Sequence, residues 1–264
     1  MNEYIIAFDV GGIFIKSAVL NGQGEMLPDS FAIIPSKSNE SKEEIIEHLF
    51  LNIKYQSNRI LDKNIKIRGV GFAFPGPFDY EKGISYIKGV DKFDQLYGIN
   101  LREELMDKMK KDPSFHSKIS EDFLILFDND ANLFALGEQL VGKGKNFNKV
   151  IYMTIGAGTG SAFMEKGQLI KNQDNVPKDG WIYKEPFGDS IVNDYISRKG
   201  ILRLAEEMDV ILEDEQVITL AEMAKNNDEK AKKVFHAFGN YIGQALNPYI
   251  KSFSPEAIIL GGQI

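Results

Sequence analysis

The chain has 264 residues, 43% of them hydrophobic, enough to bury the core of one large or two ordinary domains, and two are favoured. Its formal charge of −7, with basic residues scattered among acids, gives no electrostatic reason to expect nucleic acid as a partner. Cysteine is absent and the three histidines, His48, His116 and His236, lie far apart, which speaks against disulfides and against a zinc or iron centre.

No basic segment followed by an apolar run opens the sequence, and no apolar run approaches the roughly 20 residues that span a bilayer. A cytoplasmic protein that does not enter a membrane is expected. There is no repeat at solenoid spacing and no low-complexity segment.

Taken in chain order, a first strand is predicted over residues 4 to 9, ending at Asp9 and followed by Gly11 and Gly12, after which β-formers resume. The run "SNESKEEIIEHLFLNIKYQSNRIL" opens with Ser and Asn cap candidates and places Ile45, Ile46, Leu49, Phe50 and Ile53 at helical spacing. A second strand follows at 67 to 74, "IRGVGFAF", so the order is α/β. Phe93 and Tyr97 come next, aromatic residues that could stack on a ring or bury between domains, with core packing the expected role. The polar stretch at 112 to 122 breaks the pattern, and a domain boundary is placed there, between 118 and 119. Beyond it lie a short apolar strand and a helix in "FLILFDNDANLFALGEQLVG", a strand at 149 to 156, helical patterning from 188 to 247, and a closing strand in "AIILGGQI".

Three strands therefore end at glycines. A tight turn through Gly11 and Gly12 lets backbone amides approach a ligand, Asp9 can hold a magnesium ion through water, and Lys16 adds positive charge nearby. The loop "TIGAGTGSA" offers amide-rich backbone suited to phosphate oxygens. The glycines of "LGGQI" allow a flat adenine or a ribose to lie against the chain. In "LFDNDANLFALGE", Asp130 is the candidate base for phosphoryl transfer, which requires positioning, charge neutralisation and a carboxylate to accept the proton of the attacking hydroxyl. Asp128 or Asn129 can instead serve as a helix cap.

The succession "FDVGGIFIK", "GVGFAFPGPFD", "NDANLFALGE", "TIGAGTGSAFMEKGQL" and "ILGGQI" resembles the ROK family of bacterial sugar kinases, within the actin and hexokinase superfamily, over essentially the whole chain. The resemblance implies an α/β, two-domain actin-like ATPase (ribonuclease H-like) fold, with residues 1–118 and 119–264 flanking an interdomain cleft. It implies ATP-dependent phosphorylation of a hexose or hexose derivative, with ATP and Mg2+ as cofactors and no zinc. Asp130 is the implied base and Asn129 its sugar-touching neighbour; Gly76 lies on the sugar side. Asp9, Gly11, Gly12 and Lys16 in the first turn, Gly156, Ala157, Gly158 and Gly160 in the second, and Gly261 and Gly262 at the end form the implied nucleotide set. Family members are commonly dimers, so a homodimer is an expectation.

The sequence departs from the family pattern in several places. Ile13 stands where the first turn usually carries threonine, and Ala157 where the second does, so two hydroxyls are missing while the backbone amides remain. The G-E-x-G-H motif and the cysteine-rich zinc site are absent, and the region instead resembles cysteine-free relatives such as polyphosphate glucokinases; Asp174 and Asn193 fall where the two sugar-binding glutamates would be. A changed set of polar groups implies a changed sugar. The alternative is a catalytically weak or inactive sugar-binding regulatory protein. The DNA-binding branch is not expected, since only Met1, Asn2 and Glu3 precede Tyr4, and a longer form is expected to be more stable because members usually continue past the last glycine motif.

Overall fold

The structure is a computed structural model that describes residues 2–62, 65–89, 91–262 and 264. The chain divides into two compact units, Met1–Asp130 and Ala131–Ile264.

The first unit is built on β1 (Asn2–Val10), β2 (Phe14–Asn21), β3 (Ala32–Pro35), α1 (Lys42–Asn58), β4 (Ile65–Ala73), a small hairpin of β5 (Phe78–Asp79) and β6 (Ile84–Ser85), α2 (Leu101–Lys111), α3 (Pro113–His116) and β7 (Ile119–Asp128). Its five-stranded sheet has the order β3-β2-β1-β4-β7. The first three strands are antiparallel neighbours, whereas β4 and β7 run parallel to β1. Period-two patterning sets the faces: Tyr4, Ile6, Phe8 and Val10 of β1 are buried, as are Phe123, Ile125 and Phe127 of β7. Against them packs α1, whose Ile45, Ile46, Leu49, Phe50 and Ile53 all enter the core. Ser41 caps that helix, accepting the N–H of Glu44 while the Glu44 carboxylate accepts the N–H of Ser41, a reciprocal capping box.

One row of this sheet bears on function. Phe8, Phe72 and Phe127 are register partners on β1, β4 and β7, and their rings stack at 4.9 and 5.0 Å. The next row is Asp9, Ala73 and Asp128. A fully apolar aromatic row thus fixes the carboxyl ends of the parallel strands where the acids stand, the place where open α/β sheets present ligand-binding residues.

The unit ends later than the 118/119 boundary expected from sequence, because β7 belongs to the first sheet. Its parallel pairing to β4 begins at Ile67↔Ile119, and Arg68 of β4 makes a 2.6 Å ion pair with Asp122, so the polar stretch in which the boundary was placed contains α3 and the start of a strand.

The second unit comprises α4 (Asp130–Leu140, entered at its second residue), β8 (Lys149–Ile155), β9 (Thr159–Glu165), β10 (Gln168–Ile170), a hairpin of β11 (Pro186–Phe187) and β12 (Ser190–Ile191), α5 (Val192–Tyr195), α6 (Arg198–Glu207), α7 (Val217–Lys225), α8 (Glu229–Phe253) and β13 (Ala257–Gly261). The sheet order β10-β9-β8-β13, with β13 parallel to β8, repeats the β3-β2-β1-β4 arrangement of the first unit. Residues Val150–Met153 of β8 are fully buried. On one side of the sheet Ala135 of α4 packs with Val150 and Tyr152, and on the other lie α5 to α8. The last helix runs through Pro248 to Phe253, past the residue 247 expected from sequence. No helix among the described residues is long and apolar enough to cross a membrane.

Candidate active site

In the first unit the turn between β1 and β2 is closed by the Gly11 N–H donating to the Phe14 carbonyl at 2.9 Å. A Cβ on Gly11 would lie 2.9 Å from that same oxygen, so the turn requires glycine. Two buried serines brace its far side: the Ser36 and Ser38 hydroxyls both donate to the Gly12 carbonyl, at 2.5 and 2.6 Å. Neither serine was singled out from sequence, since only the fold carries them to the turn. Asp9 and Lys16 are cross-strand partners, with Nζ 3.4 Å from Oδ2, both on the exposed side. Ile13, where a hydroxyl was missed in the sequence, is 75% exposed and contributes only its backbone.

Gly76 forms a cis peptide with Pro77, and a Cβ there would meet the Tyr80 hydroxyl at 3.3 Å. That hydroxyl donates to the Phe74 carbonyl, which anchors the segment to the end of β4. Of the two aromatic residues assigned to the core, Phe93 is fully buried and packs 5.2 Å from Phe74, while Tyr97 is 52% exposed and pairs edge-on with Tyr86. The Phe74 N–H donates to the Asp128 carbonyl, extending the β4 to β7 pairing to the acidic turn. There the Asp128 carboxylate accepts the Asn129 N–H at 2.7 Å, and Asp130, exposed, is the first residue of α4. Its negative charge at a helix N-terminus is electrostatically favourable.

In the second unit the loop between β8 and β9 holds Gly156, Ala157 and Gly158. The Gly156 N–H donates to the Gly158 carbonyl at 2.9 Å, and the Gly156 carbonyl accepts the Arg198 N–H at 2.8 Å. Asn193 Oδ1 accepts the Thr159 N–H at 3.1 Å and leaves little room beyond Gly158, where a Cβ would approach it to 3.0 Å. The Thr159 hydroxyl donates to the Ile196 carbonyl, so α5 and the start of α6 clamp the loop from below. Replacing Asn193 with alanine leaves the Thr159 N–H without its acceptor and is expected to cost about 1–3 kcal/mol in chemical denaturation. Asn193→Asp, which keeps an oxygen there, is expected to lose less.

Packing accounts for two other glycines. A Cβ on Gly160 would meet Thr154 Oγ1 at 2.4 Å and Ala131 Cβ at 2.7 Å, and one on Gly261 would meet the Phe134 ring at 2.4 Å. Both let α4 lie close against the sheet. Gly262 has φ +112° and would bring a Cβ to 2.1 Å from the Ile155 carbonyl, which only glycine permits. The second unit therefore gathers the start of α4, the glycine loop and the closing glycines around the end of β8. Asp174 is not joined to them: it lies on an exposed loop after β10, with no hydrogen bond or ion pair among the described residues.

No cluster of three or more His, Cys, Asp or Glu residues suited to an ion occurs among the described residues. Asp9 fits the magnesium habit of one carboxylate supplemented by water and phosphate oxygens.

Comparison with known proteins accords with this architecture. The sequence signature of the ROK family matches residues 5–264. The xylose repressor of Bacillus subtilis is 23% identical over 99% of this chain, which spans 64% of the repressor's length. The glucokinase of Thermotoga maritima is 23% identical over 98% of this chain and 82% of its own length. Among solved structures, a ROK family glucokinase from Streptomyces griseus in complex with glucose and AMPPNP superposes with a TM-score of 0.71 at 18% identity, covering 98% of this chain and 83% of that one.

Proposed function

The chain belongs to the ROK family and has the two-domain, actin-like ATPase fold of its structural neighbours; from that premise we propose that it transfers the terminal phosphoryl group of ATP to a hydroxyl of a hexose or hexose derivative. The observation that carries the reading is Asp130, an exposed carboxylate at the first residue of α4, directly after the acid-bearing end of β7.

In this reading Asp130 accepts the proton of the attacking hydroxyl, and Asn129 with the Gly76 segment orients the sugar. The Asp9–Gly12 turn and the Gly156–Gly160 loop hold phosphate oxygens through backbone amides, which keeps the function when Ile13 and Ala157 supply no hydroxyl. Magnesium, when bound near Asp9, neutralises phosphate charge. Gly261 and Gly262 give the adenosine a flat backbone surface. Asn193 keeps its Nδ2 for a sugar hydroxyl while its Oδ1 holds the Thr159 amide. Asp174 is the remaining candidate for a sugar hydroxyl. Relatives that are a glucokinase and, at 26% identity, a β-glucoside kinase of Listeria monocytogenes make glucose and β-glucosides the first substrates to try.

A second reading, a sugar-binding regulator without turnover, draws on the likeness to the xylose repressor and on the two lost hydroxyls. ADP release from Mg-ATP, measured with and without each of a panel of hexoses, amino-hexoses and β-glucosides, separates the two. Stimulation by at least one sugar is expected; sugar binding without any stimulation favours the regulator.

A further inference from the structure

Lys92 belongs to none of the motifs above, yet its side chain lies across the first glycine turn. A Cβ built on Gly12 would come 2.9 Å from Lys92 Cδ, 3.6 Å from its Cβ and 3.8 Å from its Cγ. Gly12 is not among the glycines of positive φ, so the lysine stem, rather than a dihedral, is what a larger residue would strike.

The placement of Lys92 is built in. Its neighbour Phe93 donates its N–H to the Ser38 carbonyl at 2.7 Å, and the Ser38 hydroxyl donates to the Gly12 carbonyl, so a single serine ties both segments together. Phe93 is fully buried, which fixes the backbone on that side. Asp91 and Phe93, flanking Lys92, both adopt left-handed backbone, with φ of 55° and 58°, a conformation that costs energy in residues other than glycine.

The charge of Lys92 is uncommitted. Lys16 stands beside Asp9, whereas half-buried Lys92 makes no hydrogen bond or ion pair among the described residues. The N–H groups of Gly12 and Ile13 likewise find no acceptor among them. A lysine stem over Gly12 and two amides without acceptors at one tight turn are the groups an anion site is built from, and a compact lysine charge suits phosphate.

Resting on the kinase reading, we propose that Lys92, with the Gly12 and Ile13 amides, binds the terminal phosphate of the nucleotide and balances the charge of the group in transfer. During transfer the bond from the γ-phosphorus to the ADP oxygen breaks as one to the sugar oxygen forms. The hydroxyl proton passes to Asp130, and Lys92 keeps its own protons throughout.

Lys92→Met keeps the stem over Gly12 and removes the charge. Calorimetric titration of parent and variant with Mg-AMPPNP and Mg-ADP should show a loss of about tenfold or more for the triphosphate analogue, the worth of one charged hydrogen bond, and under about twofold for ADP. The turnover number should fall by about 10²-fold, as when one preorganised donor is removed, and Lys92→Arg should recover much of it. Parent and variant binding AMPPNP equally, or the variant losing both nucleotides alike, overturns the role of Lys92 and leaves the kinase reading standing. A parent that binds neither nucleotide overturns both.

Discussion

Replacing Asp130 with asparagine is expected to lower sugar-dependent ADP release by about 10²- to 10⁴-fold, the usual contribution of a positioned general base. The substitution keeps the size and polarity of the first residue of α4 and removes its negative charge, and with it the ability to take a proton. Asp130 is exposed and lies outside the hydrophobic clusters, so losing its favourable charge at the helix start should lower stability by no more than about 1 kcal/mol. Sugar affinity, read by calorimetry, should change far less than turnover. Undiminished turnover in Asp130→Asn would move the base elsewhere in the acidic turn, and Asp128 would become the residue to replace.

The largest structural effect is expected at Phe72. This side chain is fully buried and is the middle ring of the Phe8–Phe72–Phe127 stack, so truncation to alanine removes ring contacts on both sides and opens a cavity under the row that carries Asp9 and Asp128. The expected cost is about 3–5 kcal/mol in chemical denaturation. Part of that comes from the stacked pairs, each worth about 0.5–1.5 kcal/mol beyond area burial. Leu126→Ala, one residue before Phe127 on β7 but 57% exposed, supplies the contrast and should change stability by only about 0.5 kcal/mol. Similar losses for the two would mean that the sheet, and not the aromatic row, carries the stability of this region.

These two residues also mark how much of the molecule was legible in its sequence. The strands at 4 to 9, 67 to 74 and 149 to 156 could be read because each is a run of β-forming residues that stops at glycine, proline or aspartate, and the helix carrying Ile45 to Ile53 because its apolar residues recur at helical spacing on one buried face. The domain boundary could not. Ser120, Glu121 and Asp122 carry no strand signal, and only their pairing with β4 makes them one, so tertiary pairing overrode local preference.

Glycines were legible as places of close approach, without the partner that approaches. Gly11 and Gly262 answer to backbone geometry, but Gly160 and Gly261 answer to α4, and Gly12 to Lys92. Asn193 was visible as a polar residue in a suggestive place, while its bond to the Thr159 amide, 34 positions away, was not. The same holds for Ser36 and Ser38, whose hydroxyls have meaning only once β3 is laid beside β2. Sequence reading thus recovered the glycine and acidic turns as turns and missed the residues that hold them in shape.

In the proposed reaction a phosphoryl group moves from ATP to a sugar. Mass spectrometry of the sugar pool after incubation with the protein and Mg-ATP tests it most directly, because it detects the product rather than the loss of nucleotide. A sugar carrying one added phosphoryl group is expected, formed by the parent and suppressed in Asp130→Asn. Unmodified sugar across the whole panel, from a protein that binds both sugar and nucleotide, would contradict it.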